Sequence, residues 1–185
     1  MTTSKKIFNK PNSLTLFRVA AVPVIVILLM FVSRPTTLIA ALLFSAAAIT
    51  DYLDGYYARR RGLVSNLGKV MDPVADKLLV SSVCIMLAAM RWIPAWIVCI
   101  IVGRELAVTG LRNIIAEKGE DVSASNLGKY KTGFQIAALI PLLIHFPYFG
   151  INFHAIGMTL LWGALAFTIW SGADYFVKFR RLFQV

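Results

Sequence analysis

Asp51-Tyr52-Leu53-Asp54-Gly55-Tyr56-Tyr57-Ala58-Arg59 and, after eight residues, Gly68-Lys69-Val70-Met71-Asp72-Pro73-Val74-Ala75-Asp76 form the stretch on which the fold turns. Long apolar runs flank it on both sides, so its four aspartates belong to segments built to cross a bilayer. A charged side chain in such a segment costs roughly 2.5–3.5 kcal/mol on insertion scales and usually marks function. Four carboxylates so close together cannot neutralise one another. They call for cations.

Working outward, the chain is 58% hydrophobic with a mean hydropathy of +0.73, against about 45–50% apolar in an average soluble domain. These values predict an all-α polytopic membrane protein with a single six-helix domain. A spanning helix needs about 20 mostly apolar residues. Six runs meet or approach that length: Leu14–Val32, Thr37–Tyr57, Val70–Met90, Ile93–Ile115, Leu127–Phe146 and Ile151–Trp170. The fifth is the weakest. Its apolar part, Phe134–Phe146, is short and contains Pro141, so it spans only if Lys129 and Lys131 snorkel or face a wet cavity. The first run is long enough to span and lacks a small-residue cleavage site, which argues against a secretory signal. Residues 1–13 are expected to be a basic juxtamembrane segment suited to an interfacial helix on anionic lipid. Residues 14–176 form the helical domain, and 177–185 a basic tail. Cys84 and Cys99 lie inside apolar runs and are expected to be small core hydrophobes, not a disulfide.

Lysine and arginine set the orientation. Of 19 such residues, only Arg34 and Arg91 fall on one side of the predicted bundle. Both termini and the aspartate-bearing helix ends are therefore expected in the cytoplasm. The net charge of +10 fits membrane lipid, and no stretch looks like a nucleic-acid-binding module, so no nucleic-acid partner is expected.

Residues three and four apart share a helix face. Asp51, Asp54, Gly55 and Ala58 then line one stripe of the second helix, and Gly68, Asp72 and Asp76 one stripe of the third. The short basic connection makes these helices antiparallel neighbours whose acidic stripes can face each other. Carboxylates suit hard cations such as Mg²⁺ or Mn²⁺, and two such ions about 3.5–4 Å apart are a recurrent device in phosphoryl chemistry. Gly55 and Ala58 leave room for a phosphate or nucleotide, and Arg59 can complement its charge. Taken singly, each feature has a plainer explanation. A Gly–Ala pair is commonly a helix-packing contact, a lone intramembrane Asp an ion-pathway group, and Arg59–Arg61 a positive flank. The joint pattern is far more specific than its parts.

That pattern resembles the signature of the CDP-alcohol phosphotransferase family, D-x2-D-G-x2-A-R, then eight or nine residues, then G-x3-D-x3-D. Every fixed position is filled here. The resemblance implies a six-helix dimeric membrane enzyme that transfers a phosphorylated group from a CDP-linked donor and releases CMP. It implies that Asp51, Asp54 and Asp72 ligate metal, and that Asp76 contacts a second metal and acts as general base. Gly55, Ala58, Arg59 and Gly68 would pack around the cytidine diphosphate.

A second polar constellation lies downstream. Gly103-Arg104-Glu105 interrupts the fourth apolar run, Arg112 follows, and Gly128-Lys129-Tyr130-Lys131-Thr132 opens the fifth. Arg104 and Arg112 are eight apart, about two turns. With Lys129 and Lys131 they can form a cationic pocket, although Arg112 and the lysines could equally anchor helix ends. So much positive charge implies an anionic acceptor such as glycerol-3-phosphate, not a zwitterionic alcohol. Arg104-Glu-Leu-Ala-Val-Thr-Gly-Leu-Arg112, the Lys129–Thr132 stretch and the opening Pro11-Asn-Ser-Leu-Thr-Leu-Phe-Arg18 also resemble the bacterial phosphatidylglycerophosphate-forming branch of the family. This resemblance implies CDP-diacylglycerol as donor and a bacterial inner-membrane location. It implies that Arg104, Arg112, Lys129 and Lys131 hold the acceptor phosphate. Asn12 and Thr15 would close the cytoplasmic mouth on the donor side and Arg18 on the acceptor side, while Glu105 pairs with Arg104.

His145 and His154 flank the predicted outer turn and are expected to be interfacial residues. Trp92, Tyr148, Trp170 and Tyr175 lie near helix ends, as aromatic belts do. Asp174 is expected to pair with the basic tail. Three rivals remain. A sibling enzyme would use another acceptor: inositol phosphate, serine or phosphatidylglycerol. An intramembrane prenyltransferase would need more helices and lack the Gly-x-x-Ala-Arg run. A divalent-cation channel would pass metal without releasing CMP.

Overall fold

The structure, a computed structural model, describes residues 10–61, 66–117 and 126–178, with side chains described in 15–50, 74–115 and 131–177. Among the described residues the chain is all-helical: α1 (Lys10–Met30), α2 (Arg34–Arg61), α3 (Asn66–Ala89), α4 (Ala95–Glu117), α5 (Asn126–Ile144) and α6 (Phe153–Lys178). It divides into two compact units, Met1–Met86 and Leu87–Val185.

In the first unit, α1 packs on α2 through a turn of residues 31–33, so the two run antiparallel. Ser33 caps α2: the Thr36 amide donates to Ser33 Oγ at 3.3 Å and the Ser33 amide to Thr36 Oγ1 at 2.9 Å, a reciprocal capping box. Pro35 sits in the first turn, where no intrahelical donor is lost. Arg18, Ala21, Ile25 and Leu29 make the buried stripe of α1, and Thr37, Ala40, Ala41, Phe44 and Ala47 that of α2. The alanines let the two backbones approach. The other faces of α1 and α2 leave Ile27, Met30, Ile39, Leu42 and Ile49 exposed, a surface suited to lipid and costly in water.

In the second unit, α6 packs on both α4 and α5. Its buried stripe runs Leu161, Ala164, Leu165, Thr168, Ser171, Tyr175. Gly157 is where α6 closes on α5: a Cβ there would lie 2.6 Å from Leu142 Cγ and 2.9 Å from the Leu142 backbone nitrogen. Gly163 makes room for the Phe134 ring, which stacks on Phe167 at a centroid distance of 4.9 Å. The α5–α6 turn is tight. Tyr148 and Ile151 exchange backbone hydrogen bonds across Phe149 and Gly150, both left-handed at φ 52° and 77°. Beneath it His145 stacks on Trp92 at 3.6 Å and meets His154 edge-on at 4.9 Å.

The predicted helices all have counterparts, with shifted ends. α1 starts four residues early, at Lys10, and α2 continues to Arg61. α6 runs eight residues past Trp170, because Ser171 and Tyr175, polar in the sequence, turn inward and stay buried. Pro141 is accommodated inside α5. Cys84 is buried as expected but Cys99 is exposed, so only one of the two is a core residue. Tyr175 is buried, not a belt residue. One helix among the described residues, Phe153–Val177, is long and apolar enough to cross a membrane. Thr15–Met30, Arg34–Thr50 and Lys131–Ile144 are shorter apolar stretches.

Candidate active site

α2 is helical through Asp51, Asp54, Gly55, Ala58 and Arg59, and α3 through Gly68, Asp72 and Asp76. α2 has 28 residues, about 42 Å at 1.5 Å per residue, longer than the roughly 30 Å hydrocarbon core. The aspartate motif occupies its last third. Because α1 is antiparallel to α2, the first turns of α1, with Asn12, Thr15 and Arg18, lie at that same end. Thr15 and Arg18 are buried, with Arg18 at 1% exposure the bulkiest fully buried side chain described. A guanidinium taken so fully out of water needs anionic or polar company. Asp76 is half-buried. The side chains of Asn12, Asp51, Asp54, Gly55, Ala58, Arg59, Gly68 and Asp72 lie outside the described set. Among described side chains no three His, Cys, Asp or Glu residues converge. Carboxylates are the donor chemistry of a hard divalent cation, and α2 and α3 are helical through all four aspartates.

The second unit brings the cationic residues together on three helices. Ile97, Ile101, Val108, Leu111 and Ile115 form the buried stripe of α4, and Arg104 falls in register with them. The apolar rows on either side therefore turn its guanidinium inward. Arg104 Nη1 is 3.2 Å from Glu105 Oε1, with side-chain exposures of only 13% and 16%. Lys131 of α5, 3% exposed, ion-pairs with the same carboxylate oxygen. Arg104 Nη2 donates to Ser171 Oγ of α6 at 2.9 Å. Ser171 Oγ in turn donates to the Thr168 carbonyl at 3.2 Å, and Thr168 Oγ1 accepts from Gln135 Nε2 at 3.5 Å. Tyr175 and Arg112 lie within electrostatic reach of Arg104.

Arg104 and Lys131 present two cations to one carboxylate away from bulk water, a setting in which a phosphate would be held strongly. Glu105 relieves the repulsion that two buried cations would otherwise suffer. Of the four cations expected to cluster, Arg104 and Lys131 meet. Arg112 is exposed, because eight residues at about 100° each leave it about 80° around the helix from Arg104. Lys129 lies outside the described side chains. Glu105 bridges both cations instead of pairing with Arg104 alone. Ser171, Thr168, Gln135 and Tyr175 had no place in the expected site. For Thr168, Ser171 and Tyr175 the signal was the 3–4 spacing that carries the buried α6 stripe past Trp170.

The family model for CDP-alcohol phosphatidyltransferases matches residues 8–170. The chain belongs to the CDP-alcohol phosphatidyltransferase family and is a transferase. It is 45% identical, over 92% of its length and 95% of the relative's, to the CDP-diacylglycerol–glycerol-3-phosphate 3-phosphatidyltransferase of Bacillus subtilis (strain 168). It is 40% identical to the protein of the same name from Rickettsia bellii (strain RML369-C), over 95% and 97% of the two chains. A third relative, CDP-diacylglycerol–glycerol-3-phosphate 3-phosphatidyltransferase 2 of Arabidopsis thaliana, is 35% identical over 97% and 83%.

Proposed function

We propose that the chain transfers the phosphatidyl group of CDP-diacylglycerol to glycerol-3-phosphate, giving phosphatidylglycerophosphate and CMP. The observation that carries the acceptor assignment is the Arg104–Glu105–Lys131 group, with Lys131 buried and the other two part-buried, a cationic seat for a phosphate on the acceptor. The names of the relatives support the same assignment.

In this proposal Asp76 takes the proton from the primary hydroxyl of glycerol-3-phosphate. The freed oxygen bonds to the β-phosphorus of the diphosphate, and the bond from that phosphorus to the bridging oxygen breaks, releasing CMP. Arg104 and Lys131 hold the acceptor phosphate, and family resemblance gives Arg112, Lys129 and Arg18 a part in the same role. Gly55, Ala58, Arg59 and Gly68 pack around the cytidine diphosphate, and Asn12 and Thr15 close the donor side. Asp51, Asp54, Asp72 and Asp76 would hold two Mg²⁺ or Mn²⁺ ions, which supply positive charge to the diphosphate. The protein's own share is positioning and charge complementarity, the main resource of phosphoryl transfer.

The proposal includes six membrane spans with both termini cytoplasmic. The Lys/Arg asymmetry and the exposed apolar faces of the helices support this. Residues 1–13 and 177–185 flank the domain as basic segments. Acyl chains of the donor stay in the inner leaflet, and family resemblance supports a homodimer in the bacterial inner membrane. The test is CMP release by purified protein in detergent with CDP-diacylglycerol and Mg²⁺, with and without glycerol-3-phosphate. Release that needs glycerol-3-phosphate is expected. Release only with serine, inositol phosphate or phosphatidylglycerol would reassign the acceptor.

A further inference from the structure

The two cations that meet at Glu105 stand on α4 and α5, and α6 carries no lysine or arginine between Phe153 and Val177. Yet α6 meets Arg104 at two consecutive residues. Ser171 Oγ accepts from Nη2 at 2.9 Å. A Cβ on Gly172 would lie 3.2 Å from Arg104 Cγ and 3.8 Å from Nε. Both residues are buried. We propose that the Ser171–Gly172 pair positions Arg104 for the acceptor phosphate: glycine gives the stem its path, and serine fixes the far nitrogen. The proposal rests on the acceptor assignment above.

The hydrogen bonds give the serine a direction. A hydroxyl has one proton, and that of Ser171 goes to the Thr168 carbonyl at 3.2 Å, so its lone pairs are left for Arg104. The guanidinium is then held at Nη1 by Glu105 and at Nη2 by Ser171. Nε is buried and has no hydrogen-bond partner among the described residues. One N–H on each terminal nitrogen remains for a phosphate oxygen. Arginine otherwise loses much rotamer freedom when it grips a ligand. Holding it from two helices beforehand removes that loss from the binding step.

The test uses the full-length protein in detergent, reading CMP release against both substrates. For Ser171→Ala the KM for glycerol-3-phosphate is expected to rise about tenfold, as when a hydrogen bond to a charged group is lost. Meanwhile kcat and the KM for CDP-diacylglycerol should stay within about twofold of the parent. Ser171→Thr, which keeps the hydroxyl, should restore the low KM. Gly172→Ala leaves every polar group in place but crowds the arginine stem, so it should raise the same KM and no other. It carries the test by itself if Ser171→Ala does not fold. An unchanged KM for glycerol-3-phosphate in the folded variants overturns the proposal. So does an equal loss toward both substrates with no rescue by threonine, which marks a structural role. A parent protein that releases CMP only with a different alcohol overturns the acceptor assignment, and the positioning proposal falls with it. A parent active with glycerol-3-phosphate and indifferent to both substitutions overturns the positioning proposal alone.

Discussion

Lys131, buried on α5, is ion-paired with Glu105 on α4, whose carboxylate also faces Arg104 at 3.2 Å. Glu105→Gln would remove the carboxylate charge that Lys131 and Arg104 share. Removing one partner of a buried pair costs roughly 3–5 kcal/mol, and the partial exposure of Glu105 puts the expected loss near about 3 kcal/mol. Lys131→Met leaves Glu105 paired with Arg104, so it should destabilise less while weakening acceptor binding more. Unfolding of the two variants in detergent, beside their KM for glycerol-3-phosphate, checks both orders. Equal stability losses would contradict this account.

Gly157→Ala should weaken the α5–α6 contact. The added methyl would sit 2.9 Å from the Leu142 backbone nitrogen, and backbone cannot swing aside as a side-chain tip does. Overpacking of this sort costs typically 1–3 kcal/mol. The contact is at the opposite end of the unit from Arg104, so thermal unfolding should shift while the KM for glycerol-3-phosphate does not.

The α5–α6 turn should be sensitive to acid. Burial, and then the neighbouring His154, hold His145 below the usual histidine value of 6.5. A folded value below the unfolded one means stability that is present above about pH 6.5 and lost as pH falls through the lowered value. Unfolding temperature measured from about pH 8 down to about pH 5 should therefore drop at the acid end. The drop should shrink in His145→Phe, which keeps the stack on Trp92. An unchanged acid response in that variant would remove His145 from the explanation.

Asp76→Asn should abolish most CMP release in protein that still folds, by about a hundredfold or more, in line with loss of a general base. Chelation should do the same to the parent, with recovery on adding Mg²⁺ or Mn²⁺. Activity that survives a chelator would dismiss the carboxylates as metal ligands.

Much of this architecture was legible in the sequence. Apolar run length locates a counterpart of every described helix, with ends shifted by several residues. The same logic misplaced the end of α6. The sixth run ends at Trp170, whereas the helix continues and buries Ser171 against Arg104. Spacing alone paired Arg104 with Arg112, but eight residues exceed two turns by enough to turn Arg112 outward. Arg104 itself was readable, because it interrupts an apolar row that had to face inward. The role of Glu105 as a bridge was not, since Lys131 is 26 positions away and only the packing of α4, α5 and α6 brings it within reach. The histidine pair was seen as a flank of the turn, but its stack on Trp92 depends on chain geometry at Arg91 and His145, both left-handed.

Gly157 and Gly172 are fifteen positions apart on α6, about 22 Å along its axis, and each admits a neighbour that a methyl would crowd. One notch seats the backbone of α5 and the other the stem of Arg104. A deletion or insertion between them would turn one notch about 100° relative to the other, so that only one could engage. This segment should therefore accept many changes of residue but no change of length.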